Sequence, residues 1–322
     1  ERGGYVSKGM MCWENTNKPY KEIAMGYYNG KTSSDLSNAN KDGYVSYTCS
    51  HDEQRPFWKA KMFGDGAVKT NEATRLNRVP TVVAMCAMLN GPQMIYQFEE
   101  LGYDYSFCAN AAATEGNNVD KADYPQPQPK PCHDTDAKPI PEVKGWFTNA
   151  NRLNAYKKTG QILQLRTKIA PSVFEGNPTS TNIGGGAKLR TIQWGNNAFV
   201  AGNFDVASNQ TVNVPSGTWY NYFEQKKQTS TTVTLAPGQV LIFTNKQLAL
   251  PSMVYTDVED VVAPNASSEI LPPYNATIYT VNGQVVSVQN NVEQVNMGVL
   301  KNGLYLIQFE KNGKTVTKKV IR

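Results

Sequence analysis

The sequence is poor in the features that would put a protein across a membrane, on nucleic acid or around a structural metal. No apolar run approaches the roughly 18 uncharged residues needed to cross a bilayer, and the longest candidate, 79–89, is interrupted by Pro80. A transmembrane helix is therefore not expected. The 5 cysteines form no C-x-x-C pair, are odd in number and have only 2 histidines to help them hold a metal. Structural zinc is not expected on that basis, and at most a loop disulfide between Cys108 and Cys132 is expected. Charge is nearly balanced, with 32 Lys plus Arg against 27 Asp plus Glu and a net charge of +5. The surplus is spread along the chain except at the basic end, with Lys311, Lys314, Lys318, Lys319 and Arg322. Nucleic acid would call for a concentrated basic face interleaved with aromatics, so no nucleic-acid partner is expected. There is also no initiator Met and no basic-then-apolar leader at Glu1, so either a leader has been removed or the sequence begins inside a longer protein.

What is present is enough apolar material for two or three cores: 322 residues, 40% of them hydrophobic. In the first half, short apolar runs at 9–14, 44–50 and 92–98 read as strands, and 74–89 and 151–169 read as helices, the latter stopped by Pro171. Strand-helix alternation predicts parallel β/α units. Between them, 107–141 is rich in Ala, Asn, Asp and Pro and reads as a long loop after a strand, a position where β/α barrels put substrate contacts. After Gly184-Gly185-Gly186 the texture changes to short strands with turn residues between them, at 189–194, 198–204, 210–214, 217–222, 230–235 and 239–244, which predicts an antiparallel sandwich. A Pro-bearing stretch, 250–273, then leads to a second small β module with strands at 277–281, 284–288, 303–309 and 314–321. Its Asn282-Gly283 and Asn312-Gly313 pairs favour tight hairpins.

The sharpest local feature is Val45 to Pro56, an apolar run that ends in Ser50-His51-Asp52-Glu53-Gln54-Arg55. Charges do not belong inside a buried parallel strand, so they should emerge at its C-terminal mouth, where β/α enzymes assemble their sites. The plainer alternative is that Asp52 caps the next helix while His51 hydrogen-bonds locally; composition alone leaves both open. The second His-Asp pair, His133-Asp134, sits in the Pro-rich loop and reads as a surface feature.

Tyr47 to Arg55 resembles the seventh-strand motif of glycoside hydrolase family 13, in the aromatic-x-x-Ser-His-Asp-Glu-x-Arg form of a Bacteroidetes-type α-amylase subgroup. Gly91 to Tyr105 resembles the motif around the eighth strand, and Gly9-Met10-Met11-Cys12-Trp13 the sixth. Three motifs in order over about a hundred residues are far more specific than one, and the resemblance runs on to about Lys246. It implies the last three units of a (β/α)8 TIM barrel, followed by the β-sandwich of amylase domain C. It also implies a retaining glycosidase acting on α-1,4-glucans. By motif position Asp52 would be the third carboxylate, a transition-state stabiliser. His51, Glu53, Arg55 and Tyr103 would form the substrate-binding set, with Glu53 and Arg55 orienting the His-Asp pair more than touching the bond. Trp13, Trp58, Tyr96 and Tyr103 could stack on sugar rings or simply fill the layer between strands and helices.

The chain departs from the commoner family pattern at Ser50, which stands where Asn is usual, and at Phe98-Glu99, where many members have a glycine. The family's nucleophile lies two residues after an Arg; no Arg-x-Asp occurs in this sequence and no residue matches the acid/base Glu, Glu14 being an unsuitable candidate. Nucleophile and acid/base are thus expected to be absent from this chain, leaving it inactive alone. No cofactor or metal is expected within it, although calcium is possible in the complete enzyme.

The end of the chain carries a second resemblance. Ile278 to Val286, Leu300 to Ile307 and Lys314 to Arg322 are similar to the C-terminal sorting domain of the type IX secretion system, an immunoglobulin-like β module. The expected organisation is α/β followed by all-β: the C-terminal portion of the catalytic barrel over residues 1–183, β-sandwich 184–248, linker 249–268 and sorting domain 269–322. Expected partners are an α-glucan and the type IX machinery, and the expected location is secreted or on the cell surface. A non-catalytic surface glycan-binding or adhesive protein with an amylase-like remnant is the competing reading.

Overall fold

The computed structural model describes residues 12–13, 16–27, 34–40, 43–51, 53–105, 140–141, 144–253, 272–280, 282–298, 300 and 303–321. Asp52, Glu14, the Cys108 and Cys132 pair and His133-Asp134 lie outside them. The chain divides into two compact units, 1–253 and 254–322.

The first unit opens with β1 (Cys12–Trp13) and α1 (Asn17–Met25), continues with β2 (Tyr44–Tyr47) and α2 (Pro56–Phe63), then α3 (Glu72–Asn77), α4 (Val79–Ala87) and β3 (Gln93–Met94). The three strands are parallel, in the order β1-β2-β3, with Trp13 opposite Val45 and Tyr47 opposite Met94. They are shorter than the apolar runs that contain them. No closed barrel forms among the described residues. The segment 74–89 is not one helix: Asn71 caps α3 through Thr74 N at 2.9 Å, the chain turns at Arg78, and Pro80 starts α4 in the first turn, where its missing N–H is harmless. α4 is buried along its whole length. The last helix, α5 (Ala150–Gln164), is capped by Asn149 through Asn151 N and Arg152 N, and relaxes into a π turn over Leu165–Ile169 before Pro171.

An antiparallel six-stranded sheet follows, ordered β4-β5-β6-β11-β8-β9: β4 (Ser180–Asn182), β5 (Leu189–Trp194), β6 (Ala198–Asn203), β8 (Tyr220–Asn221), β9 (Lys226–Lys227) and β11 (Val240–Thr244). A second layer is the pair β7 (Gln210–Asn213) and β10 (Thr232–Leu235). Every residue of β6 is buried, because both faces of the sheet are covered. Ile192, Trp194, Val200 and Ile242 join the core of α1 and α4, while Phe199, Ala201, Leu241 and Phe243 pack with Val212, Trp219 and Leu235. The helices and one face of the six-stranded sheet therefore share one apolar core, and the two sandwich layers enclose a second.

Buried polar side chains lock that core. Arg78, between α3 and α4, donates to Ala24 O at 3.2 Å, Ile23 O at 2.8 Å, Phe204 O at 3.0 Å and Asp205 O at 3.1 Å. Arg190 on β5 donates to Ile183 O and to Ser34 O, the latter at 2.7 Å. Trp194 donates its indole N–H to Met88 O at 2.9 Å, and Tyr222 its hydroxyl to Gln161 O at 3.2 Å. Gly26 ends α1 with φ 90°, and a Cβ there would stand 2.2 Å from Val206 Cγ1, so conformation and close approach both require glycine.

The second unit is one four-stranded antiparallel sheet, ordered β13-β12-β14-β15, from β12 (Tyr274–Thr280), β13 (Val285–Val292), β14 (Leu304–Lys311) and β15 (Lys314–Ile321). Tyr274, Ala276, Ile278, Ile307, Phe309 and Val320 make its core, covered by Val295 and Leu300 from the 293–303 connection. The Asn312-Gly313 pair closes a two-residue hairpin with φ 51° and 74°, the left-handed pair a type I′ turn demands. The Asn282-Gly283 pair belongs to a wider connection, in which Gly283 N bonds Thr280 O and Thr280 N bonds Gln284 O.

Replacing Arg78 by Ala should leave four buried carbonyls without their donor and lower unfolding stability by about 3 kcal/mol or more. Urea denaturation of the purified protein measures this; a loss under about 1 kcal/mol, the ordinary surface value, would mean that water replaces the clamp.

A candidate active site at the ends of the parallel strands

Side chains rather than the strand ladder carry the chain out of β2. Thr16 exchanges two hydrogen bonds with Tyr47, accepting from Tyr47 N at 3.0 Å and donating to Tyr47 O at 2.9 Å. Thr48 donates its hydroxyl to Glu99 Oε2, the Cys49 thiol donates to Glu99 Oε1 at 3.1 Å, and Tyr96 N donates to Glu99 Oε2 at 2.9 Å. Glu53 is buried at 6% exposure and accepts from Ser50 N at 2.9 Å and from Ser50 Oγ, which closes a tight turn. His51, within that turn, is exposed.

Arg55 ends the turn, immediately before Pro56 starts α2. Arg55 is 2% exposed, and its guanidinium donates to Gln97 O at 2.8 Å and lies 4.2 Å from the ring centre of Tyr96 and 4.7 Å from that of Tyr103. A planar cation between two aromatic faces is well suited to burial. Arg55 thereby ties the segment after β2 to the segment after β3. Tyr103 is also 2% exposed: Phe98 stacks on it with centroids 6.2 Å apart, and Trp146 meets it edge-on at 5.3 Å.

The sequence-derived set thus separates into three groups. Arg55 and Tyr103 are brought together inside the protein, Glu53 turns inward to Ser50, and His51 faces solvent; Asp52 lies outside the described residues. Among the four aromatics considered for stacking, Trp58 and Tyr103 are core residues, whereas Trp13 is 52% exposed and rests edge-on against Tyr47 at 5.1 Å.

Two features escaped the sequence reading. One is Glu99, whose carboxyl is pushed above the usual range by burial, against the opposing pull of Thr48, Arg55, Cys49 and Tyr96. Burial, reinforced by the neighbouring Glu99, likewise pushes the Cys49 thiol well up, so Cys49 stays protonated and is no nucleophile. The other is a cation cluster on Asp104: Arg152 at 3.1 Å, Lys61 at 3.4 Å and Arg75 at 3.8 Å all approach Asp104 Oδ2. Arg152 also reaches Leu101 O, Gly102 O and Glu72, and stacks 3.9 Å from the Trp146 ring. This cluster fixes the segment after β3 onto α5. In the sequence Phe98-Glu99 stood out only as a departure from the family pattern, and nothing pointed to the Asp104 cluster.

Comparison with known proteins resolves the second unit first. Residues 259–322 match the model of the secretion system C-terminal sorting domain. The tail is a type IX sorting domain. The protein is therefore exported, to the cell surface or beyond it, with the type IX machinery as a partner. No helix among the described residues is long and apolar enough to cross a membrane.

Among solved structures, AmyP in complex with maltose superposes with a TM-score of 0.50 at 12% identity, over 73% of this chain and 50% of that one. The pullulanase of Anoxybacillus sp. LM18-11 complexed with maltotriose gives 0.48 at 11% identity, over 73% and 34%. Pullulanase type I of Bacillus subtilis str. 168 complexed with maltose gives 0.45 at 12%, over 73% and 35%. On the AmyP superposition the fold is of amylase type, with helices and antiparallel sheets, and the chain spans half the length of AmyP. No curated protein matches the sequence.

Deleting 259–322 should leave the rest of the chain inside the cell. Fractionation of cells carrying the truncated gene tests this, and undiminished delivery to the surface or medium would show that export depends on another segment.

Proposed function

We propose that this chain is the C-terminal portion of a retaining α-amylase-type glycoside hydrolase of family 13 that acts on α-1,4-glucans such as starch, glycogen and maltodextrins. The supporting observation is the turn 48–55, which leaves the middle strand of a parallel β1-β2-β3 sheet with its polar residues grouped at the strand's C-terminal end and bound to the segment after β3. In this reading β1, β2 and β3 are the sixth, seventh and eighth strands of a (β/α)8 barrel, the antiparallel sheets are amylase domain C, and the nucleophile and acid/base lie on segments beyond these 322 residues.

The chemistry asked of this chain is electrostatic. A glucose unit undergoing cleavage flattens and gains positive charge as the glycosidic bond lengthens, and its ring hydroxyls become more acidic. The carboxylate of Asp52 accepts hydrogen bonds from those hydroxyls, and the bonds shorten as the charge develops, so its contribution is larger in the transition state than in the bound substrate. His51 donates to the same sugar from the exposed side of the turn. Glu53 and Arg55 act at one remove: Glu53 closes the turn on Ser50, and Arg55 holds it against Tyr96 and Tyr103. Trp13 offers an exposed ring at the same mouth. Calcium, which many related enzymes bind, is assigned no step here: no group of three His, Cys, Asp or Glu side chains converges among the described residues.

In the full-length protein Asp52→Asn should lower kcat on starch by roughly 10²- to 10³-fold, the usual range for removing one preorganised contact to developing charge. Maltotriose affinity should change far less. Reducing-sugar release and titration calorimetry check the two quantities, and hydrolysis at the wild-type rate would remove Asp52 from the mechanism.

A further inference from the structure

Glu99 bonds to the exits of two strands at once. Thr48 and Cys49 immediately follow β2, and Tyr96 stands two residues beyond β3; all three donate to the one carboxylate, which is only 3% exposed. Both carboxylate oxygens are engaged, Oε2 by Thr48 and Tyr96 and Oε1 by Cys49. The backbone bends to bring it there. Phe98 holds a left-handed conformation, φ 66° and ψ 7°, which is unfavourable for a bulky L-residue. Leu101 N and Tyr103 N both bond Phe98 O, so the bend is held by the loop that also packs the Phe98 ring on Tyr103. Arg55 adds a favourable field from the opposite segment.

A carboxylate in this place is more than packing requires. An apolar side chain would fill the same space without desolvating a charge, and burying one carboxylate is unfavourable unless several donors meet it. The donors it gathers lie directly before Ser50-His51 on one side and directly before Gln97, the acceptor of Arg55, on the other. A shift at either strand exit is therefore passed to the turn that presents His51.

We propose that Glu99 is a positioning residue: its buried carboxylate locks the exits of β2 and β3 together and so sets where the Ser50-His51 turn stands in the site. The proposal rests on the glucan-hydrolase reading for its catalytic consequence, but not for its structural one. Glu99 does not touch the sugar; it acts through Thr48, Cys49 and Tyr96.

Two variants of the full-length protein test it. Glu99→Gln keeps the shape but loses the charge and one acceptor, and Thr48→Val removes a single donor with little change in volume. Nitrogen-15 labelling of histidine, read against a His51→Gln sample that identifies the His51 signals, reports the turn. Both variants should move the His51 signals. On starch, Glu99→Gln should lower kcat roughly tenfold with KM within about threefold, and the double variant should be no worse than Glu99→Gln alone, because the two residues form one link. His51 signals unchanged in either folded variant would show that Glu99 only fills the core, and displaced His51 signals with wild-type kcat in an active enzyme would overturn the catalytic consequence. If the unmodified protein releases no sugar, the glucan reading fails, while the His51 signals still decide the positioning role. Should Glu99→Gln not fold, Thr48→Val decides the question by the same signals.

Discussion

Unit 1–253 depends on one kind of interaction, a buried guanidinium that collects backbone carbonyls from segments far apart in sequence. Arg78 is the clearest instance. Its donors bind the end of α1 through Ile23 and Ala24 and the strand exit after β6 through Phe204 and Asp205. Those carbonyls sit in the last turn of a helix or just past a strand, where backbone acceptors are short of partners. An apolar residue could fill the volume but would take away the donor that Arg78 supplies to each. Arg190 does the same for Ile183 and Ser34, and Arg152 for Leu101 and Gly102. The apolar core gives the unit its cohesion, and the arginines fix how the helical layer and the sandwich register on each other.

That division explains what could be read in the sequence. The apolar runs that form β1, β2 and β3 and the change of texture after Gly186 were legible, because period and turn residues are local signals. Arg78 was not, since in sequence it resembles an ordinary solvent-facing charge in the first turn of a helix over 74–89. Its burial follows from partners 54 to 127 positions away. The same blindness shortened the strands: 48–50 and 95–98 look like continuations of apolar runs, yet their pairing passes through the Glu99 carboxylate instead of a backbone ladder. β6, apolar on both faces, showed no alternation because two layers cover it.

At the candidate site, residue types were easier to read than residue attitudes. The cluster from Ser50 to Arg55 stood out by its charge density, and the turn does stand at the end of the middle parallel strand. Glu53 turns inward on a local partner, Ser50 three residues before it, but nothing local distinguishes a Tyr103 wrapped by Arg55, Phe98 and Trp146 from a tyrosine open to a ligand. That outcome depends on Arg55 and Trp146, which belong to other stretches of the chain. The sorting tail was the most legible segment: its hairpins are built from neighbours in sequence, and Asn312-Gly313 forces one of them.

The two units also differ in how quickly they can acquire structure. In the tail, β12 pairs with β13, β14 with β15, and the longest of these ladders closes over a few tens of residues, so ordering each contact confines little chain. The first unit must instead bring Ser34 to Arg190 and Thr81 to Gly238, 156 and 157 positions apart, before its clamps engage. Chains dominated by such distant contacts fold slowly, and those with near ones fold fast. The export signal thus follows the larger unit along the polypeptide yet is the first able to reach its final form, which separates the time at which the chain can be recognised from the time at which its larger unit is complete.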